Sequence, residues 1–154
     1  MTFDAEKFIS STTAAPLSTQ PLLCPEGEYR AFIDDGEKAL SFRNGTGSNG
    51  EWHQMSVLCN IADDNVKAQL KRDKILVPLN IWLDIKGDGL DIEEGKNVGL
   101  GRLRKALGQN TSDAWAPAMM KGKGPLMVKV GHRSDPKDPE VKYAEVTRVS
   151  AITV

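Results

Sequence analysis

The strongest hydrophobic pattern in the chain lies between Lys74 and Lys86. Every second position there is apolar: Ile75, Val77, Leu79, Ile81, Leu83 and Ile85. This alternation predicts a long β-strand with one side in the core, and it places Trp82 on the other side. Because proline cannot donate a ladder hydrogen bond, Pro78 predicts that the strand is an edge strand, bends there or pairs on one side only.

The remaining patterns predict a mainly β chain with one or two helices after the third strand. Further strands are expected at 28–34, 38–43, 51–61, 126–131 and 141–149, with loops at 44–50 and 134–139. A short capped helical turn is expected at 63–70 and a second short helix at 112–120. The main helix is expected to be capped by Asn97, to end at Gly108 and to bury one face, formed by Leu100, Leu103, Ala106 and Leu107.

Three strands, a helical segment and two strands follow one another in the order typical of an OB-fold, a five-stranded partly open Greek-key barrel. A β-sandwich is the alternative. Residues 25–154 form the predicted OB-fold domain. Residues 1–24 are rich in Ser, Thr, Ala and Pro without an apolar period, which predicts an N-terminal arm that is either disordered or docked on a neighbour.

Composition and length place the chain among ordinary globular domains. Its 154 residues suit a single domain, and 40% are hydrophobic and 27% charged. No apolar run is long enough to cross a bilayer, and the N-terminus lacks the layout of a signal peptide. We therefore expect a soluble protein without membrane contact that stays in the cell that makes it.

The charge is balanced overall but unevenly placed. The net charge is −1, yet residues 1–70 carry five Lys/Arg against ten Asp/Glu, and residues 71–154 carry fifteen against eleven. Within 95–134, eight basic residues face only Asp113. A local basic surface of this kind can attract an anionic polymer.

Sequence motifs for catalysis are scarce. The phosphate-binding loop, the dinucleotide fingerprint and the serine nucleophile elbow are all missing from the sequence. The two cysteines, Cys24 and Cys59, and the two histidines, His53 and His132, form no ligand spacing. We therefore expect no catalytic residues, metal site or cofactor.

Binding of single strands needs a basic groove for phosphates and aromatic rings on which bases stack. Trp82 and Trp52 lie on the polar faces of their strands, where core packing does not require a large aromatic side chain. The alternative is that these rings pack beneath the arm or the helices. The predicted nucleic-acid-binding residues are Trp82, Trp52, Arg102, Arg104, Lys105, Lys121, Lys123, Lys129 and Arg133.

A family resemblance points the same way. Residues 83–91 and 95–110, the latter reading Gly-Lys-Asn-Val-Gly-Leu-Gly-Arg-Leu-Arg-Lys-Ala-Leu-Gly-Gln-Asn, followed by Trp115 and 129–133, resemble small tailed-phage proteins. That family is similar to phage OB-fold single-stranded DNA-binding proteins. The resemblance spans about residues 25 to 150 and implies a replication or recombination accessory protein without catalytic residues. Many such proteins end in an acidic tail that recruits partners, whereas this chain ends Ser-Ala-Ile-Thr-Val.

The sequence therefore supports two alternative functions. The first is a non-enzymatic protein that coats single-stranded DNA without strong sequence preference during phage replication or recombination, in the host cytoplasm. Its partners would be single-stranded DNA and replication or recombination proteins, and a homo-oligomer is compatible with it. The alternative is a phage structural or assembly protein that makes protein contacts through the β-barrel and the arm.

Overall fold

The computed structural model describes residues 2–152 and is mainly β, as predicted. The strands are β1 (Gly27–Ile33), β2 (Leu40–Gly47), β3 (Gly50–Ile61), β4 (Leu76–Leu83), β5 (Ile85–Lys86), β6 (Gly89–Leu90), β7 (Leu126–Ser134) and β8 (Lys142–Ser150). The helices are α1 (Ala5–Ile9), α2 (Asp64–Leu70) and α3 (Val98–Ala106), with a 3₁₀ helix at Pro117–Met120. Asp63 caps α2 by accepting a hydrogen bond from the Val66 amide, which confirms the predicted helical turn.

Six strands form one largely antiparallel sheet in which β3 pairs with three neighbours. Along one edge of β3 lie β2 and then β1, with Leu40 opposite Val57 and Ile33 opposite Cys59. Strand β4 follows the other edge of β3, and β7 and β8 continue the sheet beyond β1. The terminal strands β4 and β8 approach to Cα distances within 8 Å. No ladder joins them within residues 2–152, so the sheet curls without closing into a barrel.

The core lies on the inner side of this curled sheet. Val57, Val77, Ile81 and Val128 are buried there, and α3 adds Leu100, Leu103 and Ala106. The predicted apolar face of α3 is therefore confirmed. Strand β4 pairs with β3 alone in the described chain, which agrees with the edge position that Pro78 predicts.

The predicted end of the long strand at 74–86 is wrong. Strand β4 stops at Leu83, and Ile85 is exposed in a separate hairpin formed by β5 and β6. The cause is a clamp between Asp84 and Asn97. The Asp84 amide donates to the Asn97 side chain and the Asp84 carboxylate accepts from the Asn97 amide, both at 2.8 Å, which takes the chain out of the ladder.

Asn97 precedes α3, as predicted, but its side chain does not cap the helix. Its side-chain amide donates instead to the carbonyls of Asp84 and Asp91. The residue adopts a left-handed conformation with φ of 51°, which asparagine tolerates better than most residues. Asn97 therefore fixes the start of α3 to the end of β4.

Two other predicted boundaries are wrong. The segment 44–50 is not a loop, because β2 continues to Gly47 and pairs with β3 up to Gly50. The helix predicted at 112–120 is reduced to the 3₁₀ turn Pro117–Met120. Proline disfavours helical backbone in the residue before it, and Ala116 is extended there.

The N-terminal arm contains α1, which has no buried residue. Gln20 ties the arm to the start of β8 through two hydrogen bonds with the Lys142 backbone, at 2.9 and 3.0 Å. Among residues 2–152, the helices are all too short or too polar to cross a membrane.

Candidate nucleic-acid interface

A row of polar and aromatic side chains crosses the outer face of β2, β3 and β4. Trp82 on β4 lies opposite Gln54 on β3, and Gln54 lies opposite Arg43 on β2. The Arg43 guanidinium donates to the Gln54 side-chain oxygen at 2.7 Å. Trp82 is 63% exposed, so the row ends in a solvent-exposed indole ring.

Trp52 lies diagonally beside Trp82 on the same face. The ring centroids are 5.7 Å apart and the rings meet edge to face at 81°. The Trp52 ring lies flat on Gly45, where a Cβ atom would come within 2.7 Å of the indole Cζ2. The glycine therefore makes room for the half-buried indole, which in turn supports the exposed one.

A groove follows the gap between β4 and β8. It consists of two clefts, of about 690 and 440 Å³, that share Asn80. We call the two together the β4–β8 groove. One end holds Trp82, Arg102 and Arg148, and the other holds Arg43, Arg72, Arg133 and Glu145.

The charge of the β4–β8 groove is strongly positive. Five arginines and one carboxylate line it. Glu145 lies 3.7 Å from the Arg133 Nε. The other four arginines form no ion pair within 4.0 Å in the part of the chain that the structure describes, so no carboxylate neutralises their charge.

Several residues predicted from sequence meet at this groove. Trp82 and Arg102 share its larger cleft, and Trp52 contacts Trp82. Arg133 lines the smaller cleft. Lys129 is exposed on β7 as the cross-strand partner of Arg148, one strand away from the groove.

The other predicted residues lie elsewhere. The Arg104 guanidinium packs on the Trp115 ring at 4.4 Å and donates to the carbonyls of Gln109 and Thr111, which is a structural arrangement. Lys105 is exposed on α3 but lines neither cleft. Lys121 and Lys123 flank Gly122 on the loop that hydrogen-bonds to the end of β1.

Three groove arginines, Arg43, Arg72 and Arg148, were missed by sequence reasoning. Arg43 is the last residue of the strand predicted at 38–43, and pairing that strand with 51–61 would have placed its side chain opposite Gln54. Arg148 was missed because the β7–β8 ladder shifts register between Lys129 and Val130. This shift interrupts the alternation of inward and outward side chains along the strand pair. Arg72 follows α2 in a loop, and no sequence signal marks it.

The two cysteines and His132 occupy structural positions. Burial raises the pKa of Cys59 to about 12 and also raises the pKa of Cys24. Both thiols therefore stay protonated near neutral pH and are poor nucleophiles. The His132 Nε2 lies 2.7 Å from the Cys24 carbonyl, and its Nδ1 lies 3.6 Å from the Glu26 carboxylate.

The one buried carboxylate of the described core lies away from the groove. Asp34 contacts the Lys74 ammonium at 2.6 Å, and this hydrogen bond is the main reason why the pKa of Asp34 falls below its usual value. The pair links the end of β1 to the segment before β4.

The β4–β8 groove offers cations, amides and an indole, which suit recognition of phosphates and bases.

Comparison with protein-family models, curated protein sequences and solved structures finds no significant match to any of the three.

Proposed function

We propose that the protein is a non-enzymatic single-stranded DNA-binding protein that holds the strand in the β4–β8 groove. The observation that carries this proposal is the meeting of five arginines, one carboxylate and an open indole along one groove. Guanidinium groups would track the phosphates while Trp82 stacks on a base. Neither feature selects a base edge, so the proposed binding is without strong sequence preference.

We also propose that the curled sheet is an OB-fold left open between β4 and β8. Strands β1 and β2 follow each other along one edge of β3, so together they can take the place of the first OB strand. The outer face of β3 and β4 is then the second-and-third-strand face, which OB-folds use for oligonucleotides. Trp52, Gln54, Asn80 and Trp82 all lie on that face.

The biological setting of this proposal is phage DNA replication or recombination in the host cytoplasm. Its support is the resemblance of residues 95–110 described above. In the structure this segment contains α3 and Asn97, which place Arg102 in the groove beside Trp82. Replication or recombination enzymes would be the protein partners.

A direct test is equilibrium binding of the full chain to an oligothymidylate of about 16 nucleotides, the upper end of the site size of one OB-fold. We expect binding at low salt that quenches tryptophan fluorescence and weakens steeply as salt is raised. A duplex of the same length should compete poorly, because its bases cannot reach Trp82. Absence of binding at low salt, or binding that ignores salt, would overturn the proposal.

The alternative, an assembly protein, is favoured by one observation. The arm carries large apolar side chains in solvent, Phe3, Phe8, Ile9 and Leu17 among them, as expected of a segment that packs on another protein. The oligonucleotide assay separates the two functions, since an assembly protein has no reason to bind single strands.

A further inference from the structure

The smaller cleft of the β4–β8 groove gathers three arginines from three different elements. Arg43 belongs to β2, Arg72 to the loop after α2 and Arg133 to β7. The cleft encloses about 440 Å³, and Ser56 and Asn80 add a hydroxyl and an amide to its lining. Guanidinium groups are planar and donate paired hydrogen bonds to phosphate oxygens. The cleft therefore presents several donors to one small anion.

The charge of the smaller cleft fits a dianion. Glu145 is the one carboxylate among the described residues that line it, so three guanidinium groups and one carboxylate leave a net charge of +2. A phosphate inside a nucleic-acid strand carries one negative charge. A terminal phosphomonoester carries about two at neutral pH. A terminal phosphate therefore neutralises the cleft, whereas an internal phosphate leaves it positive.

Two of the three guanidinium groups are held in place. Arg43 donates to the Gln54 side-chain oxygen at 2.7 Å, and the Arg133 Nε lies 3.7 Å from the Glu145 carboxylate. Neither contact uses all five donors of a guanidinium group. Arg72 is exposed and forms no ion pair within 4.0 Å in the described part of the chain. The cleft therefore combines two oriented cations with a third that no carboxylate neutralises.

The N-terminal arm borders the smaller cleft at the end where β4 and β8 begin. Gln20 is hydrogen-bonded to the Lys142 backbone, and the Cys24 carbonyl lies 2.7 Å from the His132 Nε2. The arm contributes Leu23 and Cys24 to the lining of the cleft. The larger cleft takes later residues of both strands, so the groove has one end at the arm. A strand that fills the groove up to the arm would have its own end in the smaller cleft.

We propose that the smaller cleft binds the terminal phosphomonoester of a single strand, so that the protein prefers strands with a phosphorylated end. The place of this phosphate in a strand rests on the proposed function, in which the larger cleft holds a base on Trp82. Free inorganic phosphate offers the same dianion without a strand. The site can therefore be tested both with and without nucleic acid.

The first experiment compares three oligothymidylates of about eight nucleotides, a length within the site size of one OB-fold. One has a 5′-phosphate, one a 3′-phosphate and one a hydroxyl at both ends. In competition with a labelled oligonucleotide, one phosphorylated form should bind about tenfold more tightly than the unphosphorylated form. The form that gains affinity identifies the direction of the strand. Equal affinities for all three would overturn the proposal.

Arg72→Gln and Arg102→Gln form a matched pair of variants. Each removes one exposed guanidinium group, the first from the smaller cleft and the second from the larger. Arg72→Gln should reduce the preference for a phosphorylated end to about twofold or less. Arg102→Gln should weaken binding of all three oligonucleotides alike and keep the preference. The reverse result would place the terminal phosphate in the larger cleft and overturn the proposal. Thermal melting verifies that both variants fold.

Glu145→Gln should act in the opposite direction. It removes the carboxylate of the smaller cleft and raises the net charge of the lining to +3. Its preference for the phosphorylated end should therefore exceed that of the wild type. An unchanged or reduced preference in a variant that melts like the wild type would contradict the proposal.

Inorganic phosphate tests the cleft without a strand. In a nuclear magnetic resonance titration at constant ionic strength, it should shift the side-chain Nε–H signals of Arg43, Arg72 and Arg133 and spare those of Arg102 and Arg148. Equal shifts at all five, or none, would overturn the proposal.

Failure of the proposed function and failure of this inference give different results. If the protein binds no oligothymidylate, the proposed function fails, and selective shifts with phosphate still assign the smaller cleft as a phosphate site. If the three oligothymidylates bind with equal affinity, the proposed function stands and this inference fails.

Discussion

The two faces of β4 place neighbouring residues in opposite environments. Ile81 points into the core and is 4% exposed, whereas Trp82 points outward and is 63% exposed. Ile81 packs among the buried residues of the sheet and α3. Trp82 touches Trp52 and opens onto the β4–β8 groove.

This difference shows that adjacent positions of one strand can be core and surface, so that a change at one need not disturb the other. The inner face contributes apolar burial, which determines whether the domain folds. The outer face holds an indole and amides, and their removal should leave the core intact. Changes on the two faces should therefore affect different measurements, and this separation can be tested position by position.

The largest effect is expected on the inner face. Ile81→Ala should lower the free energy of unfolding by about 2 to 5 kcal/mol, because it leaves a cavity in a packed core. Asn80→Ala, one residue away and half-buried on the outer face, should cost far less. Urea denaturation measures both variants, and equal losses would contradict the separation of the two faces.

The buried carboxylate gives the next effect. Asp34→Asn should destabilise the protein at pH 7 by about 1.5 kcal/mol, the lower end for a charge-assisted hydrogen bond, because Lys74 is half exposed. The pKa of Asp34 is lowered in the folded state. Its contribution is therefore full above the ordinary carboxyl pKa of about 4 and is lost as the pH falls through the lowered value.

Thermal melting between pH 7 and pH 2 measures the Asp34 effect. The wild type and Asp34→Asn should converge in stability at the acid end. Asp88→Asn, at an exposed carboxylate in the turn between β5 and β6, serves as the control and should follow the wild type throughout. A constant difference between wild type and Asp34→Asn at all pH values would show that the ion pair is not its cause.

The tryptophan pair on the outer face gives a smaller effect. Gly45→Ala would place a methyl group 2.7 Å from the Trp52 ring, so the indole must move away from its position beside Trp82. We expect a changed near-ultraviolet circular dichroism signal and a loss in stability of about 1 kcal/mol. In Gly47→Ala the new atom meets Trp52 at 3.7 Å, an ordinary contact, and the spectrum should not change.

The smallest effect concerns single arginines of the groove. Arg102→Ala and Arg148→Ala should each reduce the slope of log affinity against log salt by about one unit or slightly less. Lys105→Ala removes a cation from the same helix as Arg102 but outside the groove, and its slope should equal that of the wild type. Equal slopes for all three variants would show that the phosphates do not contact Arg102 or Arg148.

Much of the fold could be predicted because burial imposes a period on the sequence. The inner face of β4 and the apolar face of α3 each repeat with the spacing of their element, and both were predicted with the correct side inward. The ends of elements were predicted less well. The hydrogen bonds between Asp84 and Asn97 join residues of different elements, and no local sequence pattern predicts them.

The candidate site could be predicted only in part, for the same reason. Trp82 and Arg102 lie on periodic elements, so their outward direction follows from the pattern. Arg43, Arg72 and Arg133 come from β2, a loop and β7, and only the tertiary arrangement brings them to one cleft. The local excess of basic residues in 95–134 pointed to a cationic protein surface but not to its location.

The most direct test of nucleic-acid binding at the outer face is the affinity of Trp82→Ala for oligothymidylate, measured beside its melting temperature. A stacked base contributes about 1 to 3 kcal/mol, so binding should weaken by roughly tenfold or more while the melting temperature stays nearly unchanged. Trp52 and Trp115 also emit, so fluorescence quenching is repeated with Trp82→Phe, which should lose most of the quench. If Trp82→Ala melts early and binds the oligonucleotide as tightly as the wild type, the indole is structural and the central claim is contradicted.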